Sequence, residues 1–237
     1  MTWATGKEIL VTGGSQGIGL ATARAFHDLG GRVHISGTRA EASDYDDDLT
    51  GLTYHRADMA SDGDRASLVA AIGQLDVLVN NAGMGGADEY TIEGFARIIA
   101  VNLTAVMDLC IRFHPALAIS GGSIVNVGSL SSFLALKETP AYTASKTGLL
   151  GLTRALADKW SGDGIRVNLV APGFIATRMT SAMRIDSGRE SKLLRAIPMR
   201  RWGQPSEIAD PILFLASPAA SYITGQSLAI DGGLMLR

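Results

Sequence analysis

A tyrosine and a lysine four residues apart, Tyr142 and Lys146, are suited to acid–base chemistry. On a helix this spacing places both side chains on one face. A phenol there can exchange a proton with a substrate oxygen, and a nearby ammonium favours the phenolate. Ser129 follows an apolar run at residues 124–127, which predicts a buried strand with the hydroxyl at its carboxyl end. The Tyr-x-x-x-Lys pair alone is also common on helices without chemistry, so its interpretation depends on the rest of the chain.

A glycine-rich loop lies near the start of the chain. An apolar run at residues 9–12 stops at Gly13, and Gly17 and Gly19 follow before a helical apolar pattern at residues 20–29. Strand, glycine loop and helix form the context of a loop that binds a dinucleotide phosphate, because the backbone can approach the pyrophosphate and the helix N-terminus offers free N–H donors. The Gly-x-x-x-Gly-x-Gly spacing differs from the commonest fingerprint, so a glycine turn that serves only packing is the alternative.

The residues after the second predicted strand bear on which dinucleotide is bound. Thr38 and Arg39 stand where a βαβ site meets the adenosine ribose. No acidic residue is present there to bond the 2′-hydroxyl of NAD, and a hydroxyl with a cation favours NADP. The acidic segment 40–52 works against a 2′-phosphate, and a solvated loop charge is the alternative for Arg39.

Apolar runs alternate with helical patterns along the whole chain. We predict strands near residues 9–12, 33–36, 53–55, 76–80, 124–127, 166–170 and 227–230, and helices near 20–29, 62–72, 92–117, 141–160 and 206–216. The strand runs are apolar throughout, as in parallel strands buried on both faces. This alternation indicates an α/β fold, a single Rossmann-type doubly wound domain over residues 1–237 with about seven parallel strands and helices on both faces.

Polar residues stand at the ends of several predicted elements. Asp58 and Met59 follow the third strand, where a carboxylate can meet an adenine amino group. Asn80 and Asn81 close the fourth strand, and we expect them to brace the central strands and border the cofactor, with turn chemistry as the alternative. Asn102 lies inside a helical pattern, where an asparagine is unfavourable unless its amide has a role. A kinked helix that aims Asn102 at the site is one interpretation, and simple exposure is the other.

The composition narrows the class of protein. The chain has 237 residues, 46% of them hydrophobic and 19% charged, with a net charge of −2. No basic excess indicates nucleic acid or an anionic membrane surface as a partner. The single cysteine, Cys110, is expected to be a buried thiol, and no metal site is predicted. Without a leader or a run of about 18 apolar residues, we expect a soluble cytoplasmic protein.

From about Lys7 to Gly233 the chain resembles the short-chain dehydrogenase/reductase family. The matching motifs are, in chain order, Thr12-Gly13-x-x-x-Gly17-x-Gly19, Asn80-Asn81-Ala82-Gly83, the tetrad Asn102, Ser129, Tyr142 and Lys146, and Pro172-Gly173 with Ile175 and Thr177. The interval of thirteen residues between Ser129 and Tyr142 is that of the family. The resemblance implies an NAD(P)-dependent oxidoreductase that transfers a hydride between a nicotinamide cofactor and a carbonyl or secondary alcohol.

The resemblance also implies roles for the tetrad. Tyr142 is the general acid in reduction and the base in oxidation, and Lys146 favours its phenolate and bonds the nicotinamide ribose. Ser129 holds the substrate oxygen, although Ser131 and Ser132 compete for that role by position. Asn102 anchors a water that links Lys146 to solvent.

The residues expected to contact the cofactor come from all the motifs. They are Gly13, Ser15, Gln16, Gly17, Ile18, Gly19, Thr38, Arg39, Asp58, Met59, Asn81, Ala82, Gly83, Tyr142, Lys146, Pro172, Gly173, Ile175 and Thr177. NADP(H) is favoured over NAD(H). Two departures from the family pattern work against this. Gln16 replaces a basic residue of many NADP-using members, and the short segment 40–52 replaces a longer helix.

Several alternatives stay open at this point. The segment 178–204 is rich in Met and Arg, and we expect it to be irregular and to form either a substrate lid or a surface helix. Because its arginines would suit an acidic carrier protein, a narrower interpretation is a 3-oxoacyl-[acyl-carrier-protein] reductase. A non-catalytic nucleotide-binding scaffold has no need for Tyr142 and Lys146 together. A P-loop NTPase is excluded because no Lys-Ser/Thr follows the last glycine of the loop. The resemblance implies a homotetramer or homodimer with contacts on the 141–160 helix and the C-terminal strand.

Overall fold

Seven strands form one parallel sheet in the computed structural model of the protein, which describes residues 2–86, 88–134, 136–185 and 187–236. The strands are β1 (Glu8–Val11), β2 (Arg32–Gly37), β3 (Thr53–Arg56), β4 (Val77–Asn80), β5 (Ser123–Val127), β6 (Arg166–Pro172) and β7 (Ser227–Ile230). Their order across the sheet is β3-β2-β1-β4-β5-β6-β7, and every neighbouring pair is parallel. This is a doubly wound order whose direction reverses between β1 and β4. The predicted fold class is confirmed.

Helices cover both faces of the sheet. They are α1 (Gly17–Asp28), α2 (Asp62–Ile72), α3 (Ile92–Ile99), α4 (Ala105–Ser120), α5 (Pro140–Trp160), α6 (Ser181–Ile185), α7 (Ser187–Ala196) and α8 (Ser206–Ala216). The predicted helices 62–72 and 206–216 are confirmed at both ends. Between β2 and β3 the structure has a single short 3-10 turn, Ala42–Asp44, as the brevity of that segment predicts.

Alternate residues of each strand serve different layers of the core. In β1, Ile9 and Val11 pack in a cluster with apolar residues of α1 and α8, whereas Leu10 packs with residues of α2, α4 and α5. The burial of both faces explains why the central strands β1 and β4 are mostly apolar, whereas the edge strand β3, with the sequence Thr-Tyr-His-Arg, is not. Cys110 of α4 lies fully buried in the second cluster, as predicted.

The long helical pattern at residues 92–117 is interrupted. A π-helical turn, Ala100–Thr104, separates α3 from α4, and it contains Asn102 in a buried position. A π turn holds one extra residue and so redirects the side chains around it. The interruption of the helix at Asn102 agrees with the kinked-helix interpretation, and simple exposure is wrong, whereas the aim of its side chain at the site stays a prediction.

The stretch Ile92–Ser120 is also apolar, with a hydropathy of 1.6 over its most apolar 18 residues. By length and composition alone it could cross a membrane. The core helix of a globular protein meets the same criterion, and Leu109, Phe113 and Leu117 of α4 lie in the core.

The segment after β6 is more regular than its sequence predicts. Within residues 178–204, expected to be irregular, lie α6 and α7. The residues of α7 are polar around most of the helix, so no apolar period signals it. Backbone hydrogen bonds join the chain before this segment to its C-terminal end. The Ala176 N–H donates to the Gly203 carbonyl at 2.9 Å, and the Gly203 N–H donates to the Phe174 carbonyl at 3.0 Å.

Candidate active site

Ser129, Tyr142 and Lys146 line one cavity of about 750 Å³ at the carboxyl edge of the sheet. Ser129 lies two residues after the end of β5, and its hydroxyl accepts a hydrogen bond from the Ser131 N–H at 3.1 Å. The Ser131 hydroxyl lies 3.0 Å from that of Ser129, whereas the Ser132 hydroxyl donates to the Lys146 carbonyl at 2.7 Å. Ser132 is therefore used within the fold, and Ser129 and Ser131 share one hydrogen-bonded pair.

Lys146 lies in the second turn of α5 and is only 4% exposed. Its Nζ donates to the Val127 carbonyl at 2.8 Å and lies 5.6 Å from the centroid of the Tyr142 ring. Burial lowers the pKa of this ammonium to about 8, because a charge without solvent is less stable. No carboxylate in the described part of the chain pairs with it.

Tyr142 carries a phenol whose proton is held more tightly than usual. Burial raises its pKa, a hydrogen bond with Ser129 opposes that rise, and the nearby charge of Glu89 adds to it. The raised pKa has the opposite direction to the effect of Lys146 that the resemblance implies. At neutral pH, the phenol of this structure is protonated and so in the form that donates a proton.

Asn102 fixes the loop after β4. Its Nδ2 donates to the Met84 carbonyl at 2.9 Å and to the Ser145 hydroxyl at 3.0 Å, and its Oδ1 accepts from the Met84 N–H at 2.9 Å. Oδ1 of Asn102 and Nζ of Lys146 lie 3.5 and 3.4 Å from the position that a Cβ would take at Gly83. Asn102 therefore stands close to Lys146 without bonding it directly, and the water-anchoring role stays a prediction.

The glycine loop forms another wall of the same cavity. A Cβ at Gly19 would lie 2.3 Å from the Gly13 carbonyl oxygen, so only glycine allows this close turn. Asn81 holds the loop from below, because its Nδ2 donates to the carbonyls of Thr12 at 2.9 Å and Gly13 at 3.0 Å. Since α1 begins at Gly17, the N–H groups of its first turn have no acceptor inside the helix.

These features fit a dinucleotide. Every residue predicted to contact the cofactor, from Gly13 to Thr177, lines this one cavity. Free amides at a helix N-terminus and a loop without side chains suit a pyrophosphate. The expected bracing by the asparagines is confirmed, because Asn80 Nδ2 also donates to Asn126 Oδ1 at 2.9 Å across β4 and β5.

Comparisons with known proteins agree with this geometry. A family model described as enoyl-(acyl carrier protein) reductase matches residues 13–235. The chain is 36% identical to 2-dehydro-3-deoxy-D-gluconate 5-dehydrogenase of Bacillus subtilis, with 98% of this chain and 96% of the relative covered. It is 35% identical to the 3-oxoacyl-[acyl-carrier-protein] reductase FabG of Chlamydia pneumoniae, with 97% of each covered. The chain belongs to the short-chain dehydrogenase/reductase family.

Solved structures of relatives share the fold of the dehydrogenase. The Pseudomonas aeruginosa RhlG/NADP complex is 34% identical, with a TM-score of 0.89 and 99% of each chain covered. A gluconate 5-dehydrogenase from Burkholderia cenocepacia in complex with NADP and tartrate is 29% identical, with a TM-score of 0.89 and 98% and 96% covered. The protein is an NAD(P)-dependent oxidoreductase that transfers a hydride between a nicotinamide cofactor and a carbonyl or alcohol substrate.

The end of the cavity that contains Thr38 and Arg39 also contains a residue that the sequence analysis missed. Tyr45 lies in the short segment between β2 and β3, and its ring lies under the Arg39 guanidinium, with Cζ 4.7 Å from the ring centroid. Its hydroxyl accepts from the Arg39 N–H at 3.2 Å, and the Tyr54 hydroxyl donates to the Arg39 carbonyl at 2.6 Å. Burial raises the pKa of Tyr45, but hydrogen bonds from Ser15 and the Arg39 backbone outweigh it and lower the pKa overall.

Tyr45 thus holds Arg39 in position from within the short segment between β2 and β3. The only signal in the sequence is an aromatic residue within a run of aspartates, and those aspartates are exposed, as predicted. Arg39 pairs with no carboxylate in the described ranges, so its charge is available to a ligand.

A second group of missed residues lines the cavity beyond Tyr142. It comprises the apolar residues Met84, Leu134, Leu136, Phe174, Met179 and Met183 and the charged residues Glu89, Arg97 and Arg178. These residues lie on loops and on α3 and α6, and no motif connects them. Arg178, Met179 and Met183 belong to the segment 178–204, which the sequence analysis named as a possible substrate lid, whereas the proximity of the other six residues follows from the fold and has no signal in the sequence.

Proposed function

We propose that the dehydrogenase interconverts a ketone and a secondary alcohol with NADP(H), using Tyr142 as the acid–base residue. The observation that carries this proposal is the single cavity that holds Ser129, Tyr142 and Lys146 on one wall and the glycine loop on another. Among the described residues, no group of three or more His, Cys, Asp or Glu side chains could hold a metal ion.

The side chains divide the reaction between them. The nicotinamide, when bound, exchanges the hydride with the substrate carbon. Tyr142 gives its proton to the substrate oxygen in reduction and takes it back in oxidation. Ser129 donates a hydrogen bond to that oxygen, and Lys146 supplies positive charge near the phenol and bonds the cofactor ribose. Asn102 anchors a water that connects Lys146 to solvent.

The preference for NADP(H) rests on Arg39 and Thr38. Both line the adenosine end of the cavity, where no acidic side chain follows β2. A carboxylate at this position would bond the ribose 2′-hydroxyl of NAD, whereas a cation suits the 2′-phosphate of NADP. The RhlG structure and the Burkholderia cenocepacia gluconate 5-dehydrogenase structure are complexes with NADP, which supports the same choice.

The substrate is proposed to have an apolar body next to its carbonyl. Six apolar side chains line the cavity together with Tyr142. A 3-oxoacyl-[acyl-carrier-protein] is the second candidate. Arg97 and Arg178 both line the cavity and pair with no carboxylate in the described part of the chain, so they suit an anionic substrate or carrier.

We also propose that the protein forms an oligomer. A homotetramer or homodimer through α5 and β7 is supported by Gly151 of α5, where a Cβ would meet nothing within 4 Å, and by Leu228 of β7, which is 41% exposed. Cytoplasmic localisation and the absence of a membrane or nucleic-acid partner stay predictions from the sequence.

The test is a set of initial rates with NADPH and NADH against apolar ketones, sugar acids, polyols, and 3-oxoacyl groups on a carrier protein. Tyr142→Phe is expected to lower kcat by at least about 100-fold and to change cofactor affinity by no more than about threefold, because only proton transfer is lost. Tyr222→Phe is the matched control, since Tyr222 is fully exposed. Near wild-type turnover by Tyr142→Phe would contradict the proposed role.

A further inference from the structure

Glu89 is a buried carboxylate next to the proposed acid–base residue. It lies between β4 and α3, is 3% exposed, and is the only acidic side chain that is fully buried in the described residues. Its Oε2 accepts from the Tyr142 N–H at 2.9 Å, and its Oε1 accepts from the Gly86 N–H at 3.3 Å. No lysine, arginine or histidine of the described ranges forms an ion pair with it.

The first of these bonds caps α5. The N-cap residue of that helix, Thr139, makes no side-chain capping bond, and its hydroxyl has no partner. Pro140 has no N–H group, so Tyr142 bears one of the first N–H groups of the helix that lack an intrahelical acceptor. Glu89 supplies that acceptor from a different part of the chain, and the helix dipole favours a negative charge there.

The same contact places a charge beside the phenol ring. Glu89 Oε1 and Tyr142 Cδ2 lie 3.5 and 3.9 Å from the position that a Cβ would take at Gly85. The carboxylate therefore opposes ionisation of the phenol, which is consistent with the raised pKa of Tyr142.

Other charged side chains line the cavity or lie in the segments next to Tyr142. Lys146 of α5, Arg97 of α3 and Arg178 after β6 line the cavity. Glu93 of α3, Asp88, Lys137 and Glu138 lie in the adjoining segments and are exposed, so solvent screens them. Glu89 is thus the one buried negative charge described at this end of α5.

We propose that Glu89 is a positioning residue of the reaction, which holds Tyr142 in place by capping its helix and makes the phenol less ready to ionise. This inference rests on the proposed acid–base role of Tyr142. A capping contact alone would stabilise the helix without influencing the proton of the phenol, and the two effects can be measured separately.

Glu89→Gln is the decisive variant. It retains an acceptor for the Tyr142 N–H and removes the charge, so the melting temperature is expected to stay within a few degrees of wild type. In alcohol oxidation, where the phenolate is the base, loss of the neighbouring negative charge should move the rising limb of the pH–rate profile to lower pH by about 0.5–1 unit. Glu138→Gln removes an exposed charge at the same helix end and should shift nothing.

Glu89→Ala tests the capping role. Loss of the acceptor should lower kcat by about 10- to 100-fold through misplacement of the phenol, while the KM for NADPH changes by less than about threefold because the glycine loop is unaffected. Wild-type kcat in this variant would contradict the positioning role. Coincident pH–rate profiles of Glu89→Gln and the wild type would contradict the electrostatic one.

A titration that needs no substrate separates this inference from the proposed function. The ¹³Cζ resonance of Tyr142, assigned by its absence in Tyr142→Phe, reports ionisation of the phenol directly. A downward shift of its midpoint in Glu89→Gln supports the inference even if no substrate is turned over, in which case the proposed function fails alone. Turnover that depends on Tyr142, with no shift of the midpoint, overturns the inference alone.

Discussion

Replacing Arg39 by alanine tests whether this side chain selects the cofactor. The guanidinium lies over the Tyr45 ring, 4.7 Å from its centroid, and lines the adenosine end of the cavity. It forms no ion pair within the described part of the chain, so it has no competing internal partner. Arg39 thus combines a fixed position with a free charge.

The expected magnitude follows from one lost bond to a 2′-phosphate. A hydrogen bond to a charged group contributes about 1.5–3 kcal/mol, and about 1.4 kcal/mol corresponds to a factor of ten in Kd. Arg39→Ala should therefore raise the Kd of NADPH by about 10- to 100-fold. NADH lacks the phosphate, and its Kd should change by less than about threefold.

Two substitutions of Tyr45 test the same prediction, with a smaller and a larger expected effect on NADPH binding. Tyr45→Phe retains the ring but removes the acceptor of the Arg39 N–H, which is a neutral bond of about 0.5–1.5 kcal/mol, so NADPH should bind about 2- to 10-fold more weakly. Tyr45→Ala also removes the ring beneath the guanidinium and should weaken NADPH further. NADH should be less affected by both changes.

The assay is direct titration of bound NADPH and NADH fluorescence at two ionic strengths. Arg32→Ala is the matched control, because Arg32 begins β2, the strand that precedes Arg39, and is an exposed charge paired with Glu8. Equal weakening of both cofactors by Arg39→Ala would refute the reasoning, since a lost phosphate contact cannot act on NADH. An unchanged ratio of the Kd for NADPH to the Kd for NADH would mean that Arg39 supports the loop and does not contact the 2′-phosphate.

Two further predictions concern stability. Asn102→Ala should lower the free energy of unfolding by about 2–3 kcal/mol in urea denaturation, because the Met84 backbone groups and the Ser145 hydroxyl lose a buried partner, and an unchanged midpoint would contradict this. Burial and the neighbouring His34 lower the pKa of His55 in the folded state, so the unfolded chain binds more protons and stability should fall as the pH drops below about 6.5. His55→Gln should flatten that part of the pH dependence, and an equally steep fall would exclude His55 as its source.

The fold was predictable because its signals are local. The central strands are mostly apolar runs that end at turn residues, and helices such as 62–72 begin at a capping serine, here Ser61, whose hydroxyl accepts a hydrogen bond from the Asp64 N–H. The glycine loop was also predictable from the sequence, because the close turn at Gly19 leaves no room for a side chain and so requires glycine. The π turn at Asn102 agrees with one of the two interpretations of that residue, a kinked helix, since an interior asparagine is unfavourable without a buried partner.

The missed parts of the site depend on contacts between distant segments. Glu89 and Tyr142 are 53 residues apart, and nothing near Glu89 in the sequence indicates that its carboxylate is buried. Tyr45 stands in an exposed acidic segment and is placed by contacts with Arg39 and Tyr54. The helix α7 was missed because its polar residues show no apolar period. In each case the deciding interaction is tertiary, so composition and spacing do not contain it.

The buried charges of this dehydrogenase explain how the cavity keeps its shape. In the described chain three charged side chains are fully buried: Arg65, Glu89 and Lys146. Each bonds the backbone of a residue that lines the cavity: Arg65 Nη1 donates to the Met59 carbonyl at 2.6 Å, Glu89 accepts from the Tyr142 N–H at 2.9 Å, and Lys146 donates to the Val127 carbonyl at 2.8 Å.

Burying a charge costs free energy unless it is well bonded, and apolar residues of similar size are often at least as stable. Arg65 is paired with Asp108, but Glu89 and Lys146 have no ion-pair partner among the described residues, so stability alone explains these two charges poorly. The property that all three share is that each bonds one part of the cavity wall: Met59, Tyr142 and Val127. Since loops form much of that cavity, backbone bonds from buried charges can fix distances that packing of loop side chains would leave variable. Neutral replacement of Glu89 should accordingly disturb turnover more than it disturbs the fold.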